Sequence, residues 1–309
     1  MVEENTHRRS RRLLWSILLN VVITLAQIIG GIISGSLALI SDALHNLSDV
    51  AALMMSWVAA RLRSHECTPD KTFGYKRAEL MAALINGLIL FAISFYLIFE
   101  AIERLSHPQS IDGVFMLVLG GLAVIVNGGC AMLLHADSRK NLNMRSAYLH
   151  LVTDMVTSVT VMLGGVAVMF LGLNWVDSVI TIIVSLALMY FAGRLILDAM
   201  RIFMQFAPPD LDIFAIENTV QSIDGIEGMH HIHVWQLSEN ETHLEAHVSL
   251  SNDLPVSQAD ELMTCVEAKL RDEYGINHVT LRPEHRPNCD QELVVRDPDR
   301  EHNHIENDK

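Results

Sequence analysis

The run LLWSILLNVVITLAQIIGGIISGSLALIS occupies residues 13–41 and contains no charged side chain. A helix needs about 20 mostly apolar residues to cross a bilayer, so this run completes one membrane span and enters a second. Gly30, Gly31 and Gly35, with the polar Ser34 and Ser36, predict a tight turn dividing it into two helices. Five further segments along the chain meet the same test as Leu13–Ile33: Leu37–Ala60, Leu80–Phe99, Val114–Leu134, Ala147–Leu171 and Val176–Leu197. Asn174 and Trp175 mark a short turn between the last two, with Trp175 at interfacial depth. The first apolar run is too long for the core of a secretory signal, and no A-x-A-type cleavage site follows it. It reads as an uncleaved first span.

Composition agrees. Of 309 residues, 50% are hydrophobic and only 19% charged, against about a quarter charged in soluble domains. Charge is unevenly placed: residues 205–309 hold 22 acidic and 7 basic side chains, whereas residues 1–204 hold 14 and 15. A neutral apolar part is therefore followed by an acidic soluble part, with no basic stripe of the kind that binds nucleic acid. Arg8, Arg9, Arg11 and Arg12 precede the first span, Arg61, Arg63, Lys71, Lys76 and Arg77 follow the second, and Arg139, Lys140 and Arg145 follow the fourth. The opposite loops offer only Arg104, so the positive-inside rule puts both termini in the cytoplasm. Cys67, Cys130, Cys265 and Cys289 form no C-x-x-C pair, which excludes a disulfide framework and a thiolate zinc knuckle.

Charged residues inside spans are costly and need a reason. The second span reads SDALHNLSD over Ser41–Asp49, and the fifth contains His150-x-x-x-Asp154. His45 and Asp49, like His150 and Asp154, stand four residues apart, which puts each pair on one helical face. If the two helices face each other, two nitrogen and two oxygen donors converge, a tetrahedral set suited to zinc and unlike the oxygen-only shells of magnesium or calcium. The alternative is that each pair is an interhelical hydrogen bond, since polar side chains also hold spans together; two identical pairs in one bundle favour the metal. Asp42 shares the stripe two turns away and reads either as part of the surroundings or vestibule of the site, or as a solvated residue near the helix end. Asn86 and Asn127 read as interhelical hydrogen-bonding groups.

The motif SDALHNLSD, the stretch FGYKRAELMAALIN at Phe73–Asn86 and His150-x-x-x-Asp154 together resemble the cation diffusion facilitators. The resemblance runs from about Arg11 to Glu284. It implies a membrane α-helical fold of six transmembrane helices followed by a small cytoplasmic metallochaperone-like domain. It further implies metal export across the cell inner membrane by a homodimer, with His45, Asp49, His150 and Asp154 as the transport site. A His–Asp/His–Asp set is the one its zinc branch carries. Some members hold a further zinc site with His near the FG motif of the loop after the second span. Tyr75 and Lys71 stand in that region here, so that site is not carried over, and the nearby His65, Glu66 and Cys67 read as solvated donors.

The domain organisation follows: a basic N-terminus over 1–12, the six-helix transport domain over 13–206, the cytoplasmic domain over 207–285, and an acidic tail over 286–309. The tail is polar enough to predict disorder, with His302 and His304 as weak metal scavengers. Within 207–285, Pro208 and Pro209 stop the sixth helix and Asp210 or Asp212 caps the next, to about Ser222. Strands are predicted over Met229–Leu237, Glu241–Leu250 and Asn277–Arg282, with a helix over Ser257–Tyr274: an αββαβ order. Simple alternation puts Ile232 and Val234 inward with His231 and His233 outward, and leaves His243, Glu245 and His247 opposite Leu244, Ala246 and Val248. His233, His247 and Glu284 then converge on the uncovered face as a possible second metal site. An ordinary polar sheet face is the alternative, and Arg282 stands where the resembled family has a further His.

The function these features support is a secondary transporter exporting Zn²⁺, with Cd²⁺ or Co²⁺ also possible, in exchange for protons. Its partners are divalent metal ions, protons, membrane lipid and a second copy of the chain, with zinc also a candidate regulatory ligand and no resident cofactor. No G-x-x-x-x-G-K-[ST] loop is present to supply ATP drive. A membrane-embedded zinc hydrolase needs an open coordination position and a base, and no H-E-x-x-H helix is present. A non-transporting metal sensor needs an output module, and the C-terminal part shows no kinase or DNA-binding signature.

Overall fold

The computed structural model describes residues 2–63, 67–138, 142–285 and 293–294. His65, Glu66, Arg139, Lys140, Cys289, His302 and His304 lie outside these residues. The chain divides into a unit of residues 1–65 with 81–197 and a unit of residues 66–80 with 198–309. Six long helices come first: α1 (Val2–Ser34), α2 (Leu37–Arg63), α3 (Ala78–Ser106), α4 (Gly113–Ser138), α5 (Leu142–Leu171) and α6 (Trp175–Phe203). Among the described residues, Ala78–Ser106, Gly113–Leu133, Tyr148–Leu171 and Trp175–Phe203 are long and apolar enough to cross a membrane, and Leu18–Ser34 is a shorter apolar helix. In α2, Ser41, Asp42, His45, Asn46, Ser48 and Asp49 crowd polar groups into the first half.

The turn between α1 and α2 is tighter than the sequence suggests. Gly35 and Ser36 alone separate the two helices, and Gly35 takes φ +72°, a conformation that favours glycine. Gly30 and Gly31 stay within α1. Ala38 and Leu39 of α2, Met116 of α4, Val161 and Val168 of α5, and Ile180, Val184 and Leu188 of α6 form one buried cluster. The helices α5 and α6 meet closely at Gly164, where a Cβ would stand 2.4 Å from Ile180 Cδ1. Phe95, Tyr96, Phe99, Phe170, Ile183 and Phe191 point outward, an apolar exterior that suits lipid rather than water.

The second unit holds α7 (Ile213–Gln221), β1 (Ile226–Ser238), β2 (Glu241–Leu250), α8 (Val256–Tyr274) and β3 (His278–Glu284), the expected αββαβ order. Asp212 caps α7, accepting hydrogen bonds from the Phe214 and Ala215 amides at 2.9 and 3.3 Å. The sheet order is β1-β2-β3, with β1 antiparallel and β3 parallel to β2. Ile216 and Val220 of α7, with Met263, Val266 and Leu270 of α8, pack against Ile232, Val234, Leu244 and Val248 of the sheet. A bulge interrupts β1 between His230 and His233, where His231 takes φ +53°. Within the acidic tail, Leu293 packs on this core and its carbonyl accepts a hydrogen bond from the Ile232 amide at 2.9 Å.

Candidate metal transport site

The helices α2 and α5 bring the two His-x-x-x-Asp pairs together in crossed fashion. His45 Nε2 lies 3.5 Å from Asp154 Oδ1, and His150 Nε2 lies 3.4 Å from Asp49 Oδ2. Within each helix the separations are 3.7 Å for His45 and Asp49 and 3.6 Å for His150 and Asp154. Pairing the first residue of one motif with the last of the other is what antiparallel helices with equal spacing produce. His45, Asp49 and Asp154 each offer a ligand atom within 4.8 Å of the others. His45 Nδ1, Asp49 Oδ2 and both Asp154 oxygens are buried without a hydrogen-bond partner among the described residues. Buried carboxylate oxygens left in that state are costly, and a cation seated among them removes the cost. Exposure rises across the cluster, from 0% at the Asp154 side chain through 19% at His45 and 35% at Asp49 to 44% at His150. The open side therefore faces the C-terminal part of α2 and the N-terminal part of α5.

Asp42 is fully buried and stands apart from the four donors. Gln27 Nε2 of α1 and Ser158 Oγ of α5 donate to its Oδ2 at 2.6 and 3.2 Å, so it joins three helices and is not a solvated end residue. Asn86 Nδ2 donates to Ser48 Oγ at 3.1 Å, the interhelical role expected of it. Asn127 is fully buried, but neither side-chain atom has a hydrogen-bond partner among the described residues, so that role is not seen there.

The second unit requires a correction. His230, not His233, joins His247 and Glu284: His230 Nε2 is 3.6 Å from Glu284 Oε2, and His247 Nδ1 is 3.3 Å from Glu284 Oε1. The bulge at His231 inserts one residue into β1 and reverses the alternation on its N-terminal side, so His230 turns toward His247, its partner in the register. His233 is exposed, paired across to Glu245, with its ring 5.0 Å from that of His231. Burial pushes the His230 and His247 imidazoles below their ordinary value, with Glu284 opposing and His231 reinforcing the shift. Arg282 Nε also holds Glu284 Oε1, at 3.1 Å, so this carboxylate already has a cation. The run His230-His231-Ile232-His233 was the visible signal, and a bulge within it was not.

A further histidine group, missed in the sequence, gathers near the opposite ends of these strands. His243 stacks on Trp235 with ring centroids 5.4 Å apart and lies 3.3 Å from Glu241, which Lys76 Nζ holds at 2.6 Å. The His278 ring is 4.7 Å from that of His243.

Two family descriptions match the chain: the cation efflux transmembrane domain over residues 13–204 and the cytoplasmic domain of cation efflux proteins over residues 208–286. The chain belongs to the cation efflux family. The cadmium, cobalt and zinc/H(+)-K(+) antiporter of Bacillus subtilis strain 168 is 34% identical over 90% of this chain and 91% of its own length. The metal cation efflux system protein CzcD of Cupriavidus metallidurans is 33% identical over 86% of this chain and 84% of its own. The zinc transporter ZitB of Escherichia coli K12 is 32% identical over 90% and 88%. A cation efflux protein is a transporter, not an enzyme, which sets the hydrolase aside.

Proposed function

We propose that this cation efflux protein is a secondary transporter that exports Zn²⁺ from the cytoplasm in exchange for protons, with His45, Asp49, His150 and Asp154 as its transport site. The observation that carries the proposal is the crossed convergence of two His-x-x-x-Asp pairs around buried, unpartnered carboxylate oxygens. Two imidazoles and two carboxylates suit a tetrahedral borderline dication, and the two negative charges neutralise it. The named relatives handle zinc, cadmium and cobalt, and one is named for exchange with protons and potassium, which supports both the cargo and the counter-ion.

The chemistry supplies a coupling. Imidazole must be neutral to ligate metal, and its ordinary value of about 6.5 lies near cytoplasmic pH. Zinc binding from the cytoplasm therefore releases up to two protons, and where the opposite side is more acidic the same imidazoles take up protons and expel zinc. Two protons or one dication balance Asp49 and Asp154 equally. Either loaded form crosses the low-dielectric interior, whereas the empty, doubly negative site is penalised. The greater exposure of Asp49 and His150 suits loading from the side where α5 begins, the cytoplasm in the orientation read from the basic loops.

The proposal includes six spans in the inner membrane with both termini cytoplasmic. It also includes a homodimer whose acidic cytoplasmic domains repel unless metal intervenes. His230, His247 and Glu284 are the donors for such regulatory zinc.

The test is purified protein in sealed liposomes, with a zinc reporter and a pH dye inside and a panel of divalent metals outside. Zinc uptake accompanied by opposite proton movement is expected. Zinc flux at full rate with no proton counter-movement, unaffected by collapsing the pH gradient, overturns the exchange mechanism.

A further inference from the structure

The first turn of α6 carries a carboxylate that the transport chemistry does not use. Asp177 is fully buried. Its oxygens accept hydrogen bonds from Ser36 Oγ at 2.5 Å, the Leu37 amide at 2.9 Å and the Ala38 amide at 3.2 Å. These are the first groups of α2, the helix that carries His45 and Asp49. The same turn is gripped from two other places. Arg104 Nη1 of α3 donates to the Gly35 carbonyl at 2.6 Å, and the Asp112 amide before α4 donates to the Ser34 carbonyl at 3.1 Å.

Capping alone does not call for this arrangement. Ser36 already caps α2 from within, its Oγ accepting from the Leu39 amide at 3.1 Å. A carboxylate from another helix adds a fixed distance between α2 and α6. That distance matters because of what α6 does next: one turn on, Ile180 fills the space left by Gly164 of α5, and Thr181 Oγ1 bonds back to the Asp177 carbonyl at 2.8 Å. Thus α6 holds α2 by Asp177 and α5 by Ile180. The helices α2 and α5 also touch directly, so the tie through α6 acts beside that contact. From Ser36 to His45 is about 13 Å along a helix, and a rigid helix passes a shift of its end directly to its ligands.

We infer that Asp177 is a positioning residue for the transport site: by tying the N-terminus of α2 to α6 it sets the height of His45 and Asp49 against His150 and Asp154. The inference rests on those four residues being the site.

Cobalt(II) is the probe, because its visible absorption is intense only in a tetrahedral shell. In the full-length protein, the transport-site part of that band is the part removed by Asp154→Ala. Asp177→Asn is expected to lower this part severalfold and to raise the zinc KM about 10-fold, as loss of a group orienting metal ligands does. Adding Ser36→Asp to Asp177→Ala, whose methyl group offers neither donor nor acceptor, returns a carboxylate to the start of α2 without restoring the link to α6, and the defect is expected to persist. Ser36→Ala, which removes one hydrogen bond of the tie together with the cap on the Leu39 amide, is expected to raise KM about 3-fold and covers the case in which Asp177→Asn does not fold. A wild-type band and KM in Asp177→Asn, full recovery in the double variant, or an unchanged KM in Ser36→Ala each overturns the inference. If Asp154→Ala leaves the wild-type cobalt band intact, the site assignment fails instead.

Discussion

The membrane-helix cluster and the cytoplasmic-domain cluster use the same donor types under different constraints. In the helical unit, two imidazoles meet two carboxylates, and the Asp154 oxygens have no hydrogen-bond partner among the described residues. In the second unit, two imidazoles meet one carboxylate, and Arg282 already holds it. The first arrangement leaves two negative charges for a dication to neutralise. The second leaves less than one, and a metal there competes with a guanidinium. Strong, obligatory loading is expected of the first cluster, and weaker, adjustable binding of the second.

The largest effect expected from this contrast is the loss of transport in Asp154→Ala. It removes a proposed ligand and half the neutralising charge at a fully buried position, so zinc flux in liposomes should fall at least about 100-fold while the protein remains folded in the membrane. Flux near the wild-type rate would erase the distinction between the clusters. A smaller change is expected from His45→Asp, which swaps a borderline nitrogen for a hard oxygen and adds charge. The preference for Mn²⁺ relative to Zn²⁺ in competition uptake should rise about 10-fold, and an unchanged ranking would remove His45 from the ligands.

The two regions were also unequally legible in the sequence. A helix repeats every 3.6 residues with little local variation, so the i, i+4 spacing is enough to put each His–Asp pair on one face of its helix, while the facing of the two helices is a tertiary fact. A strand repeats every two, and one inserted residue reverses every side chain beyond it. The bulge at His231 does this, and nothing in the residues His230-His231-Ile232-His233 specifies where the extra residue sits. Long-range partners were hidden for another reason. Asp177 and Ser36 are 141 residues apart, and Asp177 in isolation reads as an ordinary acidic residue in the first turn of a helix. The αββαβ order, by contrast, followed from local alternation and the Asp212 cap, both encoded within a few residues.

The correction in the second unit gives a sharper comparison. In an Asp154→Ala background, where the cytoplasmic cluster is the remaining proposed site, His230→Ala should weaken zinc binding at least about 10-fold against a fluorescent chelator, and His233→Ala less than about 2-fold. The reverse order would restore the simple alternation. The smallest effect concerns His243. Burial lowers its pKa, with Glu241 opposing, and His278 and Lys76 reinforcing. The unfolded chain then takes up that proton first as pH falls. The contribution of His243 to stability is therefore full above about pH 6.5 and declines through the window below it, down to the depressed folded value. Thermal melts between about pH 5 and 7.5 should show a shallower acid-side decline in His243→Gln, and an identical slope would assign the acid sensitivity elsewhere.

Zinc-edge X-ray absorption on the full-length protein carrying His230→Ala and His247→Ala tests the transport site most directly, because both imidazoles that meet Glu284 are then removed. The expected shell has four light ligands at about 2.0–2.1 Å, with multiple scattering from two imidazoles and two oxygen donors filling the rest. Asp154→Ala in the same protein should abolish stoichiometric binding. A sulfur-containing shell, a six-coordinate all-oxygen shell, or stoichiometric binding that survives Asp154→Ala would contradict the assignment of His45, Asp49, His150 and Asp154.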